Sequence, residues 1–214
     1  MIELFRARSD GRSGRAYVAL VAYIRQHPED LKALSEQILS NRKLAATVIS
    51  ALRDSSTPEA QRLMRDLLSE EERLIPQLRG LIVQGLSLVS SPSPETVAKL
   101  RALQSDPKFG TQATYGLGSN AHHLSETNPA LSHSIVDSLL DRLGSAQTNG
   151  ARTTLLTALG AAGDPSSLRA IANYTSDADD GVRSSSAQGL RRIPGPEADS
   201  LLARLAMDGN DDVR

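Results

Sequence analysis

The chain has 214 residues, 39% apolar and only 3% aromatic, with no cysteine, no tryptophan and a formal net charge of −1. Such a balance supplies no field that would draw the chain to phosphate backbones or anionic membranes, and the lack of cysteine excludes disulfides, zinc ribbons and thiol nucleophiles. Met1 to Arg15 lacks the apolar core of a secretory signal, and no stretch approaches the roughly 18 uninterrupted apolar residues of a membrane span, so nucleic acid and membrane insertion are disfavoured while the compartment stays open.

Prolines punctuate the chain. Pro28, Pro58, Pro94, Pro129, Pro165 and Pro196 follow one another at 30, 36, 35, 36 and 31 residues, and five stand behind Thr57, Ser93, Asn128, Asp164 and Gly195. Each position suits the first turn of a helix, where a missing N–H costs nothing and a short polar side chain can cap. The segments that follow carry apolar residues three and four apart and are rich in Leu, Ala and Ser rather than β-branched or aromatic residues, which predicts helices and not strands. The predicted helices are 13–26, 28–41, 43–53, 58–69, 74–89, 95–104, 110–121, 129–143, 151–162, 166–175, 182–193 and 197–207, twelve in six pairs. Glu70-Glu71-Glu72-Arg73 reads as a solvated junction between two of them.

Ahead of the prolines a small residue precedes a leucine at one fixed place: Ala51-Leu52, Gly85-Leu86, Gly116-Leu117, Ala158-Leu159 and Gly189-Leu190. The small residue admits a neighbouring backbone and the leucine fills the space between repeats, so Leu52, Leu86, Leu117, Leu159 and Leu190 are the expected anchors of the stack. Longer polar turns at Gly118 to Pro129 and Leu143 to Gly150 interrupt the period.

The register is clearest near the C-terminus. Ala151-Arg152 stands ahead of Ala158-Leu159-Gly160 as Val182-Arg183 stands ahead of Gly189-Leu190-Arg191, an offset of 31, and a further 31 reaches Val213-Arg214 behind the acidic turn Asn210-Asp211-Asp212. Self-similarity of this kind signals a solenoid whose helix pairs bury their apolar faces only against neighbours. The expectation is one domain, 1–214, cut from a longer protein at a point where a further copy begins.

The paired helices, with Asp-Asp-x-Val-Arg opening the second, resemble the HEAT-repeat family. Ala158-Leu159-Gly160-Ala161-Ala162-Gly163-Asp164-Pro165, followed by Val182-Arg183 through Gly189-Leu190-Arg191-Arg192-Ile193-Pro194, is similar to the helical domain of vitellogenin and related large lipid-transfer lipoproteins. The first resemblance implies an all-α, right-handed superhelix of about six HEAT-like hairpins that binds a protein partner along one face, with no chemistry of its own. It also implies a ladder between repeats from Asp180 with Arg183 and Asp212 with Arg214, a pattern that Ala45 and Gly110 do not continue. The second implies a helical arch beside lipid-holding sheets, and those sheets are not in this sequence.

Other constellations carry less. His122-His123 with Glu126 has a metal-like look, but adjacent helical histidines point about 100° apart and His133 is too far off to complete a tetrahedral set, so a solvated helix end is the better reading. Ser184-Ser185-Ser186 and Ser90-Ser91 have no base in a nucleophile setting, and the glycines at 116, 118, 160 and 163 form no phosphate-binding loop. Arg152, Arg183, Arg191 and Arg192 are the candidate partner-binding residues, with inter-repeat salt bridges as the competing use of the same side chains.

The resulting expectation is a non-catalytic scaffold without cofactor or metal. The inner helices 43–53, 74–89, 110–121, 151–162 and 182–193 would dock a protein. A helical module of a lipid-transport protein is the alternative, disfavoured because the free positions on these helices are largely Ser, Thr, Gln and Arg. A HEAT-like DNA glycosylase would need a basic, aromatic-bearing surface that the composition does not provide.

Overall fold

In the computed structural model residues 12–40, 42–70 and 74–214 are described. All regular structure among them is helical. The α-helices are α1 (Arg12–Gln26), α2 (Leu31–Ser40), α3 (Arg42–Ser55), α4 (Pro58–Ser69), α5 (Pro76–Ser87), α6 (Pro94–Leu103), α7 (Gly110–Leu124), α8 (Pro129–Gly144), α9 (Asn149–Ala162), α10 (Leu168–Ala172), α11 (Asp180–Leu190) and α12 (Pro196–Leu205). Short 3-10 turns, Pro28–Asp30 and Pro165–Ser167, lead into α2 and α10. The HEAT-like hairpins expected from the sequence are therefore present. The junction residues Glu71-Glu72-Arg73 and the segment Met1 to Gly11 lie outside the described residues.

The capping logic operates at atomic distance. Thr57 accepts a hydrogen bond from the Ala60 N–H at 3.2 Å, Ser93 from Thr96 at 3.2 Å, Asn128 from Leu131 at 3.2 Å and Asp164 from Ser166 at 2.8 Å, each satisfying a donor that the first helical turn leaves orphaned. Gly195 offers no side chain and instead turns at φ 126°. Gly163 closes α9 in the left-handed conformation, φ 65°, donating back to the Leu159 carbonyl as such caps do.

The chain forms two compact units, Met1–Lys99 and Leu100–Arg214, with the division inside α6.

In the first unit α1, α3 and α5 pack in one row and α2 and α4 against them. The row includes α1, a helix that the sequence reading left off the inner set. Leu52 and Leu86 are fully buried, and a Cβ on Gly85 would meet Met64 Sδ at 3.0 Å and Ile49 Cγ2 at 3.4 Å. A polar seam runs through this apolar core. Buried Gln61 donates to the carbonyls of Ser56 (3.2 Å) and Ser91 (2.9 Å) and accepts from the Ser93 N–H (2.9 Å) and the Thr96 hydroxyl (2.8 Å). All four bonds of its amide are thereby made, so its burial carries little desolvation cost.

In the second unit α7, α9 and α11 form the row, with α8 against α7 and α9, and α10 and α12 against α11. Leu117, Leu159 and Leu190 are buried in it together with Leu156, Ile135 and Leu139.

Candidate functional site

The row of the second unit is held by backbone-to-backbone contact. An added Cβ on Gly118 would lie 2.0 Å from the Ala158 carbonyl oxygen, and one on Gly160 would lie 2.5 Å from Gly189 Cα. The two contacts are the same contact one repeat apart, because Gly118 precedes Gly160 by the 42 residues that separate Leu117 from Leu159. Helices brought this close present their remaining positions as one continuous surface.

Three tiers cross that surface in repeat register: Thr111, Thr153 and Ser184; Tyr115, Thr157 and Gln188; Ser119, Ala161 and Arg192. All nine are exposed or half-buried, and residues four apart on each helix share its outer face. The third tier is physically joined, since Arg192 Nη1 donates to the Ala161 carbonyl at 3.1 Å. Tyr115 is the large side chain of the grid, 37% exposed. The chemistry on offer is neutral hydroxyl and amide, one aromatic ring and one cation.

Of the four arginines singled out from sequence, the structure places each differently. Arg183 is committed to the fold: Nε and Nη2 grip Asp208 at 2.8 and 3.0 Å, and Nη1 donates to the Asp177 carbonyl at 2.9 Å. This bidentate grip, with the Asn210 N–H as a second donor, holds the Asp208 carboxyl down at about 2. Arg152 is half-buried and donates to Asn149 Oδ1 at 3.0 Å, within its own helix. Arg192 is exposed and engaged as above, whereas Arg191 is exposed and makes no hydrogen bond or ion pair among the described residues.

The ladder between repeats differs from the one the HEAT resemblance implies. Arg183 reaches past Asp180 to Asp208, and the rungs are amide to carboxylate: Asn149 Nδ2 to Asp179 Oδ2 and Asn210 Nδ2 to Asp180 Oδ2, both 2.7 Å. Asp179 caps α11 through its other oxygen while Asp180 begins the helix, so the two carboxylates face the preceding and the following turn respectively. Arg214 bonds Asp211 and the Asp208 carbonyl, and it is the carbonyl of Asp212 that receives a bond, from Ser184 at 2.9 Å. Acids gather at helix N-termini here and Arg192 sits where α9 ends, an arrangement that opposes each end of the helix dipoles.

The histidine pair lies on α7, which runs to Leu124 rather than stopping at 121. The rings of His122 and His123 are 5.9 Å apart and tilted, and no group of three or more potential ligands occurs among the described residues. Burial, followed by the charges of His122 and Arg192, lowers the His123 pKa. His133 pairs instead with Asp164, 3.7 Å away.

Sequence reasoning missed Tyr115, Asn149, Asp208 and Asn120. Tyr115 was accessible to it, standing 42 residues before Thr157 as Leu117 stands before Leu159. Asn120 was not. Its side chain is fully buried on α7 with neither amide atom within hydrogen-bonding reach of a partner, at a position whose register equivalents are Ala162 and Ile193.

Two open clefts flank α11. One of about 420 Å3 is lined by Ser184, Gln188, Arg191, Leu202, Leu205 and Val213 among others, and one of about 300 Å3 by Arg183, Arg204 and Asp208 with neighbouring residues.

This geometry of stacked hairpins agrees with sequence comparison: residues 136–214 match the family model described as HEAT repeats. A solved structure reporting lipid–protein interactions in lipovitellin superimposes with a TM-score of 0.67 at 19% identity over 86% of this chain, a likeness of fold. The chain spans 21% of that lipovitellin chain. Human deoxyhypusine hydroxylase in complex with glycerol aligns over 99% of this chain and 89% of its own at 15% identity and a TM-score of 0.35. No curated protein sequence matches. No helix among the described residues is long and apolar enough to cross a membrane.

Proposed function

We propose that this chain is a non-catalytic scaffold that docks a protein partner on the α7–α9–α11 face of its HEAT-like repeats. The observation that carries the reading is the grid of nine exposed or half-buried positions in register, held at fixed spacing by the contacts at Gly118 and Gly160. A surface of preformed donors and acceptors around one exposed ring and one cation suits protein recognition, since Tyr and Arg supply much of the energy at interfaces and little ordering is lost when their helices are already rigid. The candidate partner-binding arginines narrow to Arg191 and Arg192, because Arg183 is consumed within the fold and Arg152 is half-buried and bonded to Asn149 of its own helix.

The test is a photo-crosslinking amino acid placed in turn at Tyr115, Thr157 and Gln188 on the grid and at Asp137 on α8 as the control. The scaffold reading expects one protein captured from all three grid positions and not from Asp137, with capture competed by the unlabelled chain. Equal capture at Asp137, or none at the grid, refutes it.

The alternative is a helical module of a lipid-handling protein, for which the likeness of fold to lipovitellin is the support. Grid positions occupied by hydroxyl and amide groups leave little apolar lining for an acyl chain. Lipid extraction of the purified chain is expected to recover no stoichiometric lipid, and one acyl ligand per chain would replace the scaffold reading with the lipid one.

A further inference from the structure

The third tier of the docking face is built unlike the other two. Its middle member is Ala161, a single methyl on α9, with Ser119 of α7 on one side and Arg192 on the other. The Arg192 backbone lies against Gly163, where an added Cβ would meet the Arg192 carbonyl oxygen at 3.3 Å and its Cβ at 3.4 Å. From there the side chain runs back along the end of α9 until Nη1 donates to the Ala161 carbonyl at 3.1 Å. His122 and His123 stand three and four residues after Ser119, which sets the two rings on either side of the Ser119 line on the same face of α7. Their centres are 5.9 Å apart.

This corner holds donors in excess. Arg192 spends one of its five N–H groups on Ala161, and among the described residues no hydrogen bond or ion pair engages the rest, nor either histidine ring. Burial, then the charges of His122 and Arg192, lowers the His123 pKa, so the field at that ring is positive and comes partly from α11. Of the other charged groups around this end of α7, His133 of α8 is paired with Asp164 at 3.7 Å and Glu126 is exposed in the turn that follows; neither is among the groups that shift His123. The carbonyl ends of α7 and α9 do not cancel the field, because donors already meet them. Ser125 Oγ reaches the His122 carbonyl at 2.8 Å, the Asn128 N–H that of Leu124 at 2.8 Å and the Gly163 N–H that of Leu159 at 3.1 Å.

We infer that this corner is a carboxylate subsite of the docking face: an aspartate or glutamate of the partner protein lies over Ala161, paired with the Nε and Nη2 fork of Arg192 and hydrogen-bonded by His123. The fork suits a carboxylate because Nη1, which points the other way, is the nitrogen already committed to Ala161. A polyanion such as nucleic acid would need cations in a run, and the first two tiers carry none. A bound carboxylate favours the protonated ring, so binding takes up a proton and strengthens as pH falls through the histidine range, which a neutral contact would not do. The inference rests on the scaffold reading for the class of ligand, and adds its charge and its place on the face.

The probe is the peptide acetyl-Gly-Ser-Glu-Ser-Gly-amide, with a twin carrying Gln in place of Glu, titrated into the full chain while NMR follows the Arg192 Nε–H and the His123 ring. The Glu peptide is expected to move both signals and the Gln twin neither. Its affinity should rise about three- to tenfold between about pH 7.5 and 5.5, the gain that a histidine pKa raised by about half to one unit supplies. Arg192→Gln keeps an amide donor for the Ala161 carbonyl but removes the charge, and should weaken the Glu peptide about tenfold or more. His123→Gln should leave the affinity near pH 7.5 within about twofold and abolish the rise on acidification, an arm that holds whether or not Arg192→Gln folds. Equal shifts with the Gln twin, no response at Arg192, or an affinity flat in pH overturns the inference. Tighter binding of a single-stranded oligonucleotide of about ten residues at the same signals overturns it in favour of nucleic acid. Failure of the scaffold reading is seen separately: crosslinking at Tyr115, Thr157 and Gln188 can fail while the Glu peptide binds, and the reverse result sinks the subsite alone.

Discussion

Replacing Gly118 by alanine tests the physical claim on which the second unit depends. In most helices the change is favourable, because alanine exceeds glycine in helix propensity by about 1 kcal/mol. Here the new Cβ would sit 2.0 Å from the Ala158 oxygen, 2.7 Å from its carbonyl carbon and 3.0 Å from its Cα, all backbone atoms of α9 that cannot rotate away. Relief requires the two helices to separate by more than about 1 Å, and a gap of that size forfeits a quarter to a half of each dispersion contact along the seam. Overpacking of this severity falls near the upper end of the usual range, about 3 kcal/mol, so the net effect is a loss of about 2 kcal/mol. For a chain of 214 residues, at roughly 2–4 °C per kcal/mol, that lowers the melting temperature by roughly 4–8 °C. The matched control is Gly150→Ala on α9, where nothing lies within 4 Å of the added Cβ and propensity alone acts, giving a gain of up to about 1 kcal/mol. Urea unfolding followed by far-ultraviolet circular dichroism measures both. A Gly118→Ala chain as stable as the Gly150→Ala control would refute the close approach of α7 and α9.

The remaining predictions concern single side chains. Leu159→Ala empties a fully buried position between α9 and its neighbours and is expected to cost about 2–5 kcal/mol in the same assay, with an unchanged value counting against its role as an anchor. Asn120→Leu replaces a buried amide that lacks partners with an apolar group of similar volume, so the unfolding free energy should rise by about 1 kcal/mol; a loss of comparable size would show that the amide is satisfied in solution. Asp208 has its folded pKa depressed from 3.8 to about 2, so the stability it contributes is present above pH 3.8 and is lost as pH falls towards 2. Acid titration of Asp208→Asn should therefore show a shallower fall in that window, and a slope equal to the parent's would contradict the Arg183 pairing. Gln61→Leu strands the two carbonyls and two donors that its amide serves in the first unit, and a loss of at least about 3 kcal/mol is expected in urea.

What could be read from sequence and what could not divide along the range of the interactions. The helix α4 runs from Pro58 to Ser69 as the sequence predicts, since a capping threonine, a proline at the first turn and apolar spacing are all local and each restricts the same few dihedrals. Where the prediction strays, burial is responsible: α7 continues past 121 to Leu124, whose side chain is buried. The leucine anchors were legible for the same reason as the helices, their period being set by the chain itself.

The site was legible in part. A reader of the sequence can align Thr111, Thr153 and Ser184, but only the folded stack decides that those positions stay open to solvent while Leu117, Leu159 and Leu190 do not. Arg183 illustrates the boundary. Its local setting pointed to Asp180, three residues away, yet it pairs with Asp208, 25 residues on, because the turn after α12 brings that carboxylate into bidentate geometry. Gly118 and Gly160 illustrate it again. Their register is visible in the letters, whereas the 2.0 and 2.5 Å clearances that make glycine necessary at both exist only between helices. Sequence determines which conformations each segment prefers through forces acting within a turn or two; the choice of partner for a given side chain depends on distances that arise when separate helices meet.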